Sequence, residues 1–593
     1  MFKIFRKKEA SNILNMTDKI INEEIDNILK EQFFGANFRF RKFQRETIFE
    51  ICKAFFNPDI DSLVLDSPTG SGKSIIAMYA SKVLENLNFK GYVITSDLTL
   101  QKQYERDLEK YNLDFGSIKG VDNYYCHING EKFSLGSCKI RNLNPNQLPC
   151  RKDCEYLGAR DKAIESPVSI LNYSYWLIQR NFVARKFEES GKPAPFTKRD
   201  FIFFDEAHKI DDIIQNHFSP KITRSIADYL FELSQFMDKN GFMFKVIVVY
   251  QHSRLLNLLD KIYTEQNKGE LFKLLKELEK TLLSFVVAST EIKEVAKDNY
   301  PYGGRKIPKD WKRNLWILDW IKDLHCKVED YNEIISLTKI DNIIKNENND
   351  EVKFNCLDER FMIKKHMHEQ AGFKVFMSAT IGTPQRYANV IALDNAKFIR
   401  IPSTFDYNQS PIFYLSKYRL SYKERDKNLP YVLKVMDHII EKKHKDDSGI
   451  IHTGSYMFMN YILDNSKHKD RLISYSNTEE KIQILNKFKH NKDGLILIGP
   501  SLLEGIDLKN DISRFQIFFK VPYPSLADPL IKAKLNNSQN WYEWKTGNLI
   551  HQGLGRSIRN KDDWAITYLL DGCFINILPD FKDNKQFMDR LKE

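Results

Sequence analysis

The stretch SLVLDSPTGSGKS, Ser62 to Ser74, decides the fold. Its first five residues are an apolar run of strand length that ends on a polar residue, and a glycine-rich loop follows at once. Backbone amides in such a loop can wrap an anion, a lysine can reach its outer phosphates, and a neighbouring hydroxyl suits Mg²⁺. Gly70, Gly72, Lys73 and Ser74 supply these groups, within the segment Ser67, Pro68, Thr69, Gly70, Ser71, Gly72, Lys73, Ser74. Ser67 stands where the strict GxxxxGK[ST] pattern has a glycine, and a chance glycine-rich helix start is the alternative for this stretch alone. The helical run IIAMYASKVLENL comes next and completes a strand, loop, helix unit.

Working outward, GYVITS (Gly91 to Ser96) and FIFFDEAH (Phe201 to His208) are further apolar runs ending in polar residues, as parallel strands buried on both faces do. The first third therefore reads as a doubly wound α/β domain with its chemistry at the carboxyl ends of the strands. In DEAH, two adjacent carboxylates can divide labour. Asp205 can hold Mg²⁺ together with Ser74, Glu206 can polarise an attacking water, and His208 can sense the nucleotide state. A solvated acidic turn is the competing reading of four such letters.

Strand-like runs resume at FKVFMSAT (373–380), GIIHTGS (449–455), GLILIGP (494–500), RFQIFFKVP (514–522) and WAITYLL (564–570), giving a second α/β domain. Between the two sets, residues about 213 to 370 read as helical, with Leu271, Leu274, Leu275, Leu278, Leu282 and Phe285 on one face as core packing. Trp311, Trp316 and Trp320 are spaced close to a helical period and read as a buried stripe rather than a base-stacking platform. KNENNDE (345–351) reads as a polar connection, and residues about 12 to 33 as a helical leader.

A chain of 593 residues exceeds one core. With 42% hydrophobic and 28% charged residues and no apolar run long enough to cross a bilayer, it is expected to be a cytoplasmic protein with no membrane partner. The net charge of +11 fits a polyanion partner but is mild over this length. Eight cysteines do not make a disulfide framework in so long a chain. Cys52, Cys326, Cys356 and Cys573 lie scattered, but Cys126, Cys138, Cys150 and Cys154 fall together between the phosphate loop and DEAH, with 11, 11 and 3 residues between them. Structural zinc sites come as two close pairs, and only the last two cysteines resemble one. Tyr124 and Tyr125, beside Cys126, read as core packing more readily than as a strand-separating wedge.

RKFQ (with Arg41 and Gln44), SPTGSGKS, TSDLTLQKQ (95–103), DEAH, SAT (378–380), HTGSY (452–456), EGIDL (504–508) and QGLGRSIR (552–559) occur in the order of superfamily 2 helicase motifs. Together with GVDNYYC before the first cysteine and CEYLGARDKAIESPVSILNYSYWL from the last, the chain resembles the XPD/DinG family of iron–sulfur DNA helicases, from about residue 38 to 575. The resemblance implies two RecA-like domains, with a four-cysteine iron–sulfur insert and a mostly helical Arch-like insert in the first. The implied boundaries are a leader to residue 37, first-domain segments at 38–118, 159–212 and 371–400, a cluster domain at 119–158, a helical insert at 213–370, and a second domain at 401–593.

It also implies ATP, Mg²⁺ and a 4Fe-4S cluster held by Cys126, Cys138, Cys150 and Cys154, with zinc and unligated thiols as the alternatives. Gln44 with Arg41 would read adenine, and Glu504, Gly505 and Asp507 would link nucleotide to strand. Gln552 would face the γ-phosphate, and Arg556 and Arg559, three apart on a predicted helix, would be the arginine fingers. Thr95, Ser96, Thr453 and Ser455 are the hydroxyls expected on a single DNA strand. Forked or 5′-overhang duplex is the expected substrate, movement 5′ to 3′, and the protein a monomer. An ATP-switched binding or remodelling factor is the alternative; an RNA helicase of the DEAH type and an inactive scaffold fit the motifs less well. Where many relatives carry an arginine shortly after the aspartate of the last strand, Asp571 is followed here by Gly572 and Cys573.

Overall fold

A computed structural model of the chain describes residues 10–31, 38–68, 70–136, 138, 148–189, 191–243, 245–300, 308–348, 350–370, 372–403, 407–415, 417–490, 494–503, 508, 510–537, 541–555, 563–582 and 584–592. Two seven-stranded sheets organise it. In the first, the order is Ala396–Arg400, Ser62–Asp66, Phe373–Ser378, Phe201–Phe204, Gly91–Thr95, Val168–Asn172, Gly116–Ser117. Every neighbour is parallel. The inner strands are apolar without alternation because helices cover both faces: Leu63, Val64, Leu65, Val93, Ile94, Phe203 and Phe204 are all fully buried. Phe204 and Phe376 stack across adjacent strands at 5.2 Å.

The second sheet runs Leu472–Ile473, Ile496–Gly499, Gly449–His452, Phe515–Phe518, Ile566–Leu569, Ile412–Tyr414, Leu591–Lys592, again all parallel. The five long runs expected in residues 373–570 are all strands, one of them in the first sheet and four in the second. Asp571, at the end of one of them, bonds to no arginine among the described residues. It accepts from the backbone N–H groups of Leu420, Val521 and Cys573 and pairs with Lys520 at 2.8 Å.

The leader forms the helix Ala10–Lys30, whose Ile21, Ile25 and Ile28 are buried, and the Tyr79 hydroxyl donates to its Ile25 carbonyl at 2.9 Å. The segment between Asp212 and the strand Phe373–Ser378 holds the long helices Lys245–Thr264, Lys268–Asn299 and Lys309–Leu337. Leu271, Leu275, Leu278, Leu282 and Phe285 are buried as their spacing requires, and Leu274 is partly so.

Three expectations for this part of the chain need correction. KNENNDE is no connection: it holds the turn of an antiparallel hairpin, Ile343–Glu347 with Glu351–Cys356, to which Lys221–Thr223 adds a third strand. The Asn348 side chain accepts from the Asp350 and Glu351 amides, closing the turn, while Val352, Phe354 and Cys356 alternate inward. Of the three tryptophans on the helix Lys309–Leu337, Trp311 alone is buried; Trp316 is 41% exposed beneath the Arg313 guanidinium, because five residues carry it about 140° around the helix. Tyr124 packs edge-on against Tyr156, but its neighbour Tyr125 is 61% exposed.

Candidate nucleotide and cysteine sites

The strand Ser62–Asp66 delivers the chain to the phosphate loop, which the first sheet holds from the side: the Ser67 amide donates to the Ser378 carbonyl at 2.8 Å. Gly70 and Gly72 adopt φ of 83° and 82°, the left-handed region glycine tolerates. At Gly72 a Cβ would also lie 2.4 Å from Gln44 Nε2, so any side chain there would displace the Gln44 amide. Lys73 opens the helix Lys73–Asn86 and its ammonium reaches back to the Ser67 carbonyl at 3.4 Å. Ser67 and Ser71 share a hydroxyl hydrogen bond of 2.5 Å. A serine in place of the pattern's first glycine therefore braces the loop from below.

Arg41 and Gln44 lie against this loop. The Arg41 guanidinium donates to the Gly70 carbonyl at 2.5 Å, Gln44 Nε2 donates to the Ser71 carbonyl at 2.9 Å, and Gln44 Oε1 accepts from the Arg41 amide. Both line, with Gly70, Gly72, Lys73, Ser74, Asp205 and Glu206, a cavity of about 860 Å³. Thr69 lies outside the described residues.

Asp205 and Glu206 end the strand Phe201–Phe204. Asp205 is almost fully buried, and each of its oxygens accepts one hydrogen bond: Oδ1 from the Glu206 amide and Oδ2 from the Tyr104 hydroxyl, both at 2.8 Å. Burial, and then the adjacent Glu206 carboxylate, push Asp205 up to about 6, against the pull of Lys73. A divalent cation would reverse that balance, so the donor set of a buried carboxylate with the Ser74 hydroxyl in one cavity fits Mg²⁺. Glu206 sits at φ 51°, a left-handed conformation that costs a non-glycine residue about 1–2 kcal/mol. The strained turn keeps its side chain 32% exposed, with Oε2 3.3 Å from His208 Nδ1. His208 Nδ1 also meets Ser378 Oγ at 2.7 Å, and Ser378 meets Thr380, so DEAH and SAT form one hydrogen-bonded row.

The helix Trp541–Leu554 brings the second sheet's side of the molecule onto this row. Trp544 is buried, packs on Tyr387 and donates to the Ile381 carbonyl at 3.0 Å; the Tyr387 hydroxyl donates to the Ala207 carbonyl inside DEAH. Lys545 reaches both oxygens of Asp211 at 3.0 Å and Asp212 at 2.7 Å, on the helix that starts directly after DEAH. Its two carboxylate neighbours hold the ammonium well above the usual lysine range despite burial. Gln552 is two turns further along, with its side-chain oxygen buried and unpartnered among the described residues. Arg556, Arg559, Glu504, Gly505 and Asp507 lie outside the described residues.

Of the hydroxyls expected on a strand, Thr95 and Thr453 are fully buried, whereas Ser96 and Ser455 are half-buried. Thr453 bonds to the Ser455 carbonyl, and Ser455 caps the helix Tyr456–Asn465. Tyr104, Lys545, Asp211 and Tyr387 were not singled out by motif reading. The available signal for Tyr104 was its place with Gln101 and Leu108 on the inward face of one helix, where polar groups need partners.

Cys126, Cys138, Cys150 and Cys154, far apart in sequence, line one enclosed hollow with His127, Phe133, Leu148 and Leu157. Gly136 packs beside the first of them: a Cβ there would lie 3.5 Å from Cys126 Sγ and 2.9 Å from the Phe133 carbonyl oxygen. Four cysteines lining one apolar hollow are the residues that would hold an iron–sulfur group through their thiolates. Among the described residues no three His, Cys, Asp or Glu side chains are drawn together as the ligand set of a single ion.

Residues 37–236 match the family model described as type III restriction enzyme, res subunit, and residues 438–582 that described as helicase C-terminal domain. The ATP-dependent DNA helicase YoaA of Escherichia coli (strain K12) is 22% identical over 86% of this chain and 88% of its own length. The ATP-dependent DNA helicase DinG of Photobacterium profundum is 24% identical over 38% of this chain and 35% of its own. Among solved structures, S. tokodaii Xpd4 covers 93% of this chain and 99% of its own with a TM-score of 0.56 at 14% identity. An XPD helicase covers 93% and 98% with a TM-score of 0.57 at 16% identity. At such identities the structural likeness speaks for the fold.

Proposed function

Because the chain belongs to the XPD/DinG-like ATP-dependent DNA helicases of superfamily 2, we propose that it moves 5′ to 3′ along one DNA strand and opens duplex ahead of it at the expense of ATP. The observation that carries this reading is the row from phosphate loop through DEAH and SAT to Trp544 and Lys545, which lets one nucleotide site feel the position of both sheets. Glu206 orients the attacking water, Lys73 meets the outer phosphates, and Gln552, Arg556 and Arg559 complete the site from the second domain. Arg41 and Gln44 seat the base, and Glu504, Gly505 and Asp507 connect it to the strand. Asp205 and Ser74 hold Mg²⁺, which neutralises phosphate charge when bound.

The domains follow the boundaries given above, with the cysteine segment and the helical insert flanking a passage for single-stranded DNA. Cys126, Cys138, Cys150 and Cys154 hold a 4Fe-4S cluster of structural role. Among the described residues no helix is long and apolar enough to cross a membrane. The protein works as a cytoplasmic monomer on forked and 5′-overhang substrates.

Displacement of the short strand from a 5′-overhang duplex, set beside a 3′-overhang control, tests the proposal. Opening each base pair costs on the order of 1.4 kcal/mol in stacking, within reach of one hydrolysed nucleotide. Strand-stimulated ATPase without displacement on either substrate would favour an ATP-switched remodelling factor and sink the helicase direction. Binding to oligo-dT should weaken with salt by a log–log slope of about −0.7 per phosphate neutralised. A flat salt response would contradict phosphate-led binding.

Replacing Cys138 with Ser is expected to abolish unwinding and lower iron and acid-labile sulfide in anaerobically purified protein, while nucleotide affinity stays near that of the parent. Zinc at one per chain without sulfide in the parent protein would refute the cluster.

A further inference from the structure

We propose that Tyr104 is a positioning residue that sets the Asp205 carboxylate for Mg²⁺, and that the helix Leu98–Lys110 transmits to it the state of the strand-facing Ser96 loop. This rests on the nucleotide-site reading above and adds a route by which DNA reaches that site.

One helix touches three places. At its start Asp97 caps it, Oδ1 accepting from the Thr99 and Leu100 amides at 2.9 Å, while Oδ2 accepts from the Ser96 hydroxyl at 2.8 Å. A phosphate that takes the Ser96 hydroxyl must compete for it with the second oxygen of the capping carboxylate. One turn on, Gln101 donates to the Ile118 carbonyl at 2.9 Å and to Ser117 Oγ at 3.1 Å, and its oxygen accepts from Asn172. These contacts tie the helix to the chain entering the cysteine segment, as does the Lys119 to Glu105 ion pair at 2.6 Å. On the same inward face, Tyr104 is fully buried and its hydroxyl ends on Asp205 Oδ2 at 2.8 Å. Asp107, one turn on, lines the nucleotide cavity together with Ser74.

Leu108, one turn later on the same face, fills its place with carbon alone, and a phenylalanine would fill the volume at position 104. The hydroxyl adds a donor to a buried carboxylate oxygen and so fixes the rotamer of a side chain that lines the cavity. A shift of the helix along its axis would drag that donor, and the carboxylate with it.

The test is Tyr104→Phe, read first without turnover. A fluorescent ADP analogue is titrated with and without Mg²⁺, and the gain in affinity from Mg²⁺ is compared with the parent protein. The gain is expected to fall about tenfold, the effect of losing one hydrogen bond to a charged group, with metal-free affinity unchanged. An undiminished gain overturns the positioning role. Gln101→Leu, which cuts the helix from Ile118 and Asn172, is expected to lower the ratio of DNA-stimulated to unstimulated ATPase while keeping the Mg²⁺ gain. An unchanged ratio in that variant overturns the transmitting role. Absence of any Mg²⁺ gain in the parent protein would instead sink the nucleotide-site reading itself.

Discussion

Glu206→Gln is expected to lower ATP turnover by about 10²- to 10⁴-fold, the span for removal of a general base, and to leave ATP binding intact. The two side chains share shape, and the left-handed turn at position 206 constrains the backbone rather than the head group. The amide can still meet His208, so the row through Ser378 survives. It cannot accept a proton from the attacking water. Phosphate release and nucleotide binding, measured on the same preparation, separate the two effects. Parent-like turnover would refute the assigned base, and lost binding would show that Glu206 shapes the pocket instead.

Lys545→Met is the second large effect. Asp211 is almost fully buried and Lys545 keeps only 14% of its side chain exposed, so truncation strands carboxylate charge between the two sheets. Removing one partner of a buried pair costs about 3–5 kcal/mol. The same contact seats the helix that carries Gln552, so turnover should fall together with the melting midpoint. Lys545→Arg should restore part of both, since the charge returns with a different reach. A midpoint and turnover equal to the parent would show that Trp544 alone docks the helix. A second buried pair, Lys534 with Glu359 at 2.6 Å, spans the same interface and sets an internal comparison.

Much of the fold was legible where burial leaves a one-dimensional trace. The central strands read as apolar runs because parallel sheets covered on both faces leave no alternation. Short edge strands such as Gly116–Ser117, Leu472–Ile473 and Leu591–Lys592 have two residues each, too few to carry any period. KNENNDE misled because a hairpin turn and a linker share a composition; only Val352, Phe354 and Cys356 beyond it betrayed the strand. In the candidate site, Lys73, Asp205 and Glu206 could be named from sequence because phosphate chemistry asks for both residue type and spacing, and the structure brings the three to one cavity. Tyr104 and Lys545 were not, because their partners lie 101 and 334 residues away and only the fold makes them neighbours.

The strand Phe373–Ser378 lies between Ser62–Asp66 and Phe201–Phe204 in the first sheet. On the ribosome its two neighbours are therefore finished while residues 205–372 are still being made. At about 5–20 residues per second that interval is on the order of ten seconds or more. Through that time two apolar strand edges wait for a partner, and a chain truncated before Phe373 never receives it. The long helices in between have the local contacts to fold first, so they act as a timer and a spacer during synthesis.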